Sequence, residues 1–429
     1  MALTFLDDDN TNYTNKTEGN MEESTSDELL DVNLNDILQQ EEENENNNND
    51  EKVEENLTQE DIITQETTLN NLTEKEKEQS NKLQDTFSIF LKNNFEIEES
   101  KYSKKTISTG IDLLDTILGG GVGMGFVQFV GPPGSGKSAL VSKIIATGQK
   151  KYPGKFISIY ADSEVSMSTE RLAQLGVKNP KIKPYTDITV EKVFKFVEAL
   201  CVFKEKNPDY LEYPSVIVWD SLANTMTEKG METEDMNSVM GEKARILSHL
   251  IPRYVKKLEQ YNISLVTINQ LRDKIDIGIF KKPNDLRWMG DKNIPGGDST
   301  KFNSFQLFYV RPLSDLKGEY GFAGTKVMGR AVKNKLFSPN IEINMIFSFK
   351  NGFSNFFTNY ELLKTFKRVK AASWCSLVNL PEVKFRQNEL VKTYKTNPKF
   401  KELFDQEVKD VLKSEFIDKH SGVIDSNDI

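Results

Sequence analysis

Gly131, Pro132, Pro133, Gly134, Ser135, Gly136, Lys137 and Ser138 fill every fixed position of the phosphate-binding pattern G-x-x-x-x-G-K-[ST]. The apolar run 125–130 precedes them, and a helix-like run from Ala139 to Thr147 follows, so the flanks read strand, turn, helix. The glycines let consecutive N–H groups point at phosphate oxygens, and the helix N-terminus at Ala139 adds partial positive charge. Lys137 can reach the outer phosphates, and the Ser138 hydroxyl can ligate Mg²⁺. The pattern predicts a nucleoside triphosphate site.

Such a site needs a second contact to the metal ion and a group that activates water. Asp220 closes the apolar run Ser215-Val-Ile-Val-Trp219 and suits the first task. A strand-ending Asp often serves only as a helix cap, but beside a phosphate loop the metal-associated role is favoured. Glu164, just past the strand-like Phe156-Ile-Ser-Ile-Tyr160, would face the ligand crevice of an open α/β sheet. There it can act as a general base; taken alone it would read as a solvated turn acid. A further strand-like run, 263–268, leads to Asn269 and Gln270, an amide placed to sense the terminal phosphate. Residues 271–299 then lack periodicity and carry Arg272, Lys274, Lys281, Lys282 and the pair Gly296-Gly297. A loop this long inside a compact domain is usually functional or disordered. Its basic character suggests nucleic-acid binding gated by the nucleotide.

The elements that would position these residues alternate. Strand-like runs at 125–130, 156–160, 215–219, 263–268, 305–310, 326–333 and 341–347 are interspersed with helical patterns at 139–149, 168–175, 190–204 and 242–260. That order predicts an α/β fold with a mostly parallel, doubly wound sheet. The tail from about 355, rich in Lys and Phe, reads as a small helical domain, and a helix is expected over 77–96. Residues 1–76 are too acidic and polar to bury a core and are expected to be disordered. Within them, Leu29 to Leu38 has near-helical apolar spacing, which fits either a partner-binding helix or a transient one without a role.

The chain has 429 residues and a net charge of −10, unevenly spread. Residues 1–80 hold 24 acidic and 4 basic side chains, whereas the remainder holds 41 and 51. An acidic tail is thus joined to a basic body suited to a polyanion. Two cysteines, Cys201 and Cys375, are too few for a disulfide scaffold and point to a reducing compartment. No apolar run approaches the ~20 residues that cross a bilayer, and the acidic start lacks a signal core, so neither membrane insertion nor export is expected.

The ordered set of these motifs resembles the RecA-type recombinases, and among them most closely those of the T-even phages. The likeness runs over about residues 78–429: Thr106-Ile-Ser-Thr-Gly110, the phosphate loop, Tyr160-Ala-Asp-Ser-Glu164, Leu175-Gly-Val-Lys178, Trp219-Asp-Ser-Leu222, Ile268-Asn-Gln270, Pro295-Gly-Gly297, Val332-Lys-Asn-Lys335 and Gly422 to Asp428. The resemblance implies an N-terminal oligomerisation segment (77–105), an ATPase core (106–354) and a small C-terminal domain (355–429). It implies a DNA-dependent ATPase, with ATP and Mg²⁺, that forms a helical filament on single-stranded DNA and pairs it with duplex DNA. A cytoplasmic setting (the host's, if phage-encoded), a single-strand-binding protein and a loading mediator go with it. Glu164 falls at the catalytic glutamate, Gln270 at the glutamine switch, and Lys333 and Lys335 at lysines that reach ATP across the subunit interface. Residues 229–245 correspond to a first DNA-binding loop, with Met240, Gly241 and Arg245 in matching places, and 271–299 to the second. That second loop is about nine residues longer than in the bacterial members, and Arg171 stands where a tyrosine usually stacks on adenine. Two rivals share the motifs: a ring-forming helicase or translocase of the same fold, and an ATP-switched, non-catalytic DNA-binding mediator.

The acidic tail yields a first expectation. If residues 1–76 compete with DNA for the basic body, deleting them raises single-stranded DNA affinity at low salt. The gain fades as salt rises, because screening lengths fall to ~10 Å at 0.1 M. Unchanged affinity at low salt would leave the tail a solubilising segment only.

Overall fold

The computed structural model describes residues 105–178, 188–232, 236–273, 292–318 and 320–420. The acidic segment 1–76, the segment expected to oligomerise up to residue 104, Lys274, Lys281, Lys282 and the motif starting at Gly422 lie outside the described residues.

An eight-stranded mixed sheet organises the chain, in the order β12-β11-β10-β9-β3-β6-β5-β4. Its strands are β3 (Gly125–Gly131), β4 (Ile157–Asp162), β5 (Ser215–Asp220), β6 (Ile263–Gln270), β9 (Gln306–Lys317), β10 (Ala323–Asn334), β11 (Ile341–Ser348) and β12 (Gly352–Ser354). Pairing is parallel from β4 through β5, β6 and β3 to β9, and antiparallel from β9 to β12. Short pairs flank it: β1 (Thr106–Ile107) with β2 (Val122–Gly123), and β7 (Arg272–Asp273) with β8 (Lys292–Asn293). All seven strand-like runs of the sequence are strands here.

Burial on both faces explains why the central strands are apolar throughout. Val216 and Val218 of β5 point into one core with Leu140, Val141, Ile144 and Ile145 of helix α2 (Lys137–Lys151). Ile217 and Trp219 point into the other core, against α4 (Val190–Lys206) and α6 (Met236–Gln260). Alternate side chains of one strand therefore serve two helical layers. Helices α1 (Asp112–Ile117), α3 (Thr169–Gln174), α5 (Glu228–Glu232) and α7 (Asp298–Asn303) complete the core region.

The structure differs from the sequence reading in two places. The described part of 229–245 is helical, in α5 and the start of α6, rather than an open loop. The tail from 355 begins with helix α8 (Asn355–Thr365) but then forms a three-stranded antiparallel sheet, β13 (Val369–Lys370), β14 (Cys375–Leu377) and β15 (Leu380–Phe385). Strands of two and three residues are too short to show a period, and the six residues of β15 do not alternate between buried and exposed. Helix α10 (Pro398–Val411), which follows α9 (Leu390–Thr396), buries Phe400 and Phe404 in the same apolar cluster as the sheet.

Candidate active site

The four parallel strands β3, β6, β5 and β4 end side by side, which is where open α/β sheets bind ligands. Each contributes one of the groups singled out above. The phosphate loop joins β3 to α2, Gln270 ends β6, Asp220 ends β5, and Glu164 lies two residues past β4.

Backbone demands fix the loop. Gly136 sits at φ +85° as the residue capping α2, a conformation L side chains rarely adopt. Gly131 has no room for a Cβ, which would fall 2.0 Å from the Val310 carbonyl of β9. The Lys137 ammonium folds back on the loop, donating to the carbonyls of Gly131 at 3.0 Å and Pro132 at 2.7 Å, and to Ser135 Oγ at 3.3 Å. Burial lowers its pKa to about 8, against the pull of Asp220 and Glu164, so it stays mostly charged at neutral pH. Ser135 Oγ also donates to Pro132 O, and Ala139 is buried on the first turn of α2.

Ser138 Oγ donates to Asp220 Oδ2 at 2.8 Å, and the buried Tyr160 hydroxyl donates to the same oxygen at 2.8 Å. Burial raises the Asp220 pKa to about 6 despite these two donors. The Ser138 hydroxyl and the Asp220 carboxylate are hard oxygen donors of the kind Mg²⁺ takes, with water and phosphate oxygens as the usual further ligands. Among the described residues no cluster of three or more His, Cys, Asp or Glu could hold a metal ion.

Glu164 is gripped from three sides. Its Oε1 accepts from Ser221 Oγ at 2.5 Å, Asn224 Nδ2 at 2.8 Å and Gln270 Nε2 at 3.0 Å. The turn that carries it is built by Asp162, fully buried, whose carboxylate accepts the backbone N–H groups of Glu164, Ser166 and Met167. Sequence reasoning gave Asp162, Tyr160, Ser221 and Asn224 no role. A carboxylate two residues before Glu164 was the available signal for the first, since Asp commonly bonds the backbone two residues on.

A profile of the RecA N-terminal domain matches residues 90–354, more than half of the chain. The chain belongs to the RecA family. It is similar to "Protein RecA" from Wolbachia sp. subsp. Drosophila simulans (strain wRi) and from Wolbachia pipientis subsp. Culex pipiens (strain wPip). Each is 28% identical over 313 residues, covering 72% of this chain and 82% of the relative.

The remaining candidates lie elsewhere on this RecA-family core. Lys333 faces Leu307 across the β9–β10 ladder, and Leu307 faces Gln128 of β3, three residues short of Gly131. The lysine is thus about 10 Å down the strand direction from its own phosphate loop. Its ammonium donates to the carbonyls of Phe302 at 2.6 Å and Lys301 at 3.2 Å, and burial together with Lys335 lowers its pKa. The Lys335 ammonium lies 5.6 Å from the centre of the Phe305 ring. Arg171, on α3, bonds the carbonyls of Phe349 at 3.0 Å and Lys350 at 3.1 Å, and Gln174 Oε1, so its guanidinium braces the turn between β11 and β12. Gly241 and Arg245 are exposed on α6, while the side chain of Met240 lies outside the described residues. Arg272 pairs through its backbone with Asn293, and Gly296 and Gly297 have φ of +103° and +80°. Among the described residues no helix is long and apolar enough to cross a membrane.

Proposed function

We propose that this chain is an ATP-dependent recombinase that polymerises on single-stranded DNA, hydrolyses ATP in response to it, and exchanges strands with a homologous duplex. One observation carries the reading: Glu164 and Gln270 share a hydrogen bond at the mouth of the phosphate loop, and Gln270 opens the segment 271–299. A water-activating carboxylate is thereby linked to an amide at the root of a basic segment. Release of Glu164 by Gln270 lets it take the proton of the attacking water.

Lys137 leaves the loop carbonyls for the outer phosphates, and the backbone N–H groups of 134–138 cradle the rest. Mg²⁺, held by Ser138 and through Asp220, would neutralise phosphate charge when bound. Arg171 leaves the carbonyls of Phe349 and Lys350 to offer its planar guanidinium to a base. Lys333 and Lys335 act on the nucleotide of the neighbouring subunit, as arginine fingers do. DNA is held by Met240, Gly241 and Arg245 in the first segment. In the second, Arg272, Lys274, Lys281, Lys282 and the Gly296-Gly297 pair take that role. On this reading the protein acts as the T-even phage recombinases do, in a host cytoplasm, beside a single-strand-binding protein and a loading mediator; the resemblance of the motif set supports it.

A strand-exchange assay with ATP, Mg²⁺, a single strand and a homologous duplex tests this. Joint molecules and helical filaments under the electron microscope are the expected result. Closed rings with duplex unwinding, or DNA binding without hydrolysis, would overturn it.

A further inference from the structure

Glu164 is restrained by more donors than one oxygen has lone pairs. A carboxylate oxygen offers two lone pairs, yet Oε1 meets three donors, Ser221 Oγ, Asn224 Nδ2 and Gln270 Nε2. Gln270 also reaches Oε2, at 3.3 Å. Glu164 therefore cannot turn toward a water without shedding a donor. Gln270 is one way to release it. The other two donors sit together on the turn 221–224 that follows β5.

That turn is held from two directions. Lys243 of α6 donates its ammonium to the carbonyls of Leu222 at 2.5 Å and Ala223 at 3.0 Å, the two residues between Ser221 and Asn224. Lys243 lies inside 229–245, between Gly241 and the exposed Arg245. From the other side, the Gly296 backbone approaches the Leu222 side chain so closely that a Cβ there would lie 2.8 Å from Leu222 Cδ2. Asn269 Nδ2 fixes this approach by donating to the Pro295 carbonyl at 2.8 Å. Both candidate DNA segments thus abut the turn that grips Glu164.

We propose that Asn224 and Lys243 are positioning residues that restrain Glu164 until DNA is bound. The inference rests on the recombinase reading above and adds a second route beside Gln270. A DNA phosphate makes a charge-assisted bond to an ammonium and so competes for Lys243 with the carbonyls of Leu222 and Ala223. When the phosphate takes Lys243, the turn loosens, Ser221 and Asn224 slacken, and the carboxylate is free to accept a proton.

The test compares kcat and KM for ATP, with and without single-stranded DNA, in the full chain and in Lys243→Met, Lys243→Arg, Asn224→Ala and the double variant Lys243→Met/Asn224→Ala. In Lys243→Met and Asn224→Ala the unstimulated kcat rises, the ratio of stimulated to unstimulated turnover falls at least about fivefold, and KM moves little. Lys243→Arg, which keeps the donors, retains most of the ratio. The double variant shows no more than the stronger single change, as expected for two residues on one route. A parental ratio in the single variants, full additivity, or a parallel fall of both rates with a lower Tm would overturn the inference. So would weaker DNA binding at an unchanged ratio, which would make Lys243 a phosphate contact only. If the parent is itself not stimulated by single-stranded DNA, the recombinase reading falls and takes this with it. If the parent is stimulated and the variants keep its ratio, only this inference falls.

Discussion

Glu164→Gln is expected to bind nucleotide and single-stranded DNA as the parent does, while DNA-stimulated turnover drops by about 10²–10⁴-fold. The amide keeps an oxygen that can accept at the Oε1 position and gives up only the longer Gln270 contact at Oε2, so residue 164 stays in place. What is lost is the ability to take a proton. A KM for ATP near the parental value with a collapsed kcat is the signature of an interaction made only in the transition state. Filaments assembled with ATP should then persist on DNA, since hydrolysis no longer releases them. Steady-state hydrolysis and DNA retention after dilution check both points. Parental turnover in this variant would remove Glu164 from the catalytic role.

Lys333→Ala and Lys335→Ala form the second test, with losses of up to about 10³–10⁵-fold in stimulated hydrolysis, the range for a charge supplied in trans. The geometry within one chain motivates the trans assignment. The pair sits at the end of the sheet away from Gly131, and the Lys333 ammonium is bound to carbonyls of α7 rather than to anything near its own loop. Lys137→Ala should be equally inactive for the opposite reason, lacking the loop lysine while keeping the other two. In a head-to-tail polymer each interface joins the loop of one subunit to the Lys333 region of the next. Mixing Lys333→Ala with Lys137→Ala at equal amounts then rebuilds about a quarter of the interfaces, and activity returns in proportion. No rescue at any mixing ratio would place the lysines in their own subunit's chemistry or outside it.

Much of this was open to sequence reasoning because local rules suffice. The phosphate loop is a contiguous pattern whose glycines meet demands set within the turn, as φ +85° at Gly136 shows. Central parallel strands buried on both faces must be apolar runs, so β3, β5 and β6 stood out whatever they packed against. Asp220, Glu164 and Gln270 could be nominated because each ends or closely follows such a run, and strand ends in this fold class face the ligand.

Other features depend on partners distant in the chain. That Gln270 touches Glu164, 106 residues away, follows from β6 and β4 flanking β5, and strand order is not written in any one segment. Asn224 and Lys243 sit in turn and helix sequences of ordinary composition. Their importance arises only where folding brings one to the Glu164 carboxylate and the other to the carbonyls of Leu222 and Ala223. Tyr160 and Asp162 are similar cases: a buried hydroxyl and a buried carboxylate must find partners, and the sheet decides which. The short strands β13 to β15 hold together through pairing with one another, and strands of two or three residues carry no period to read. By itself, then, the sequence determined the chemical groups and the strands that carry them, because composition and spacing act locally. Tertiary structure decided which groups restrain one another, because hydrogen bonds between distant residues exist only once strand order has been set.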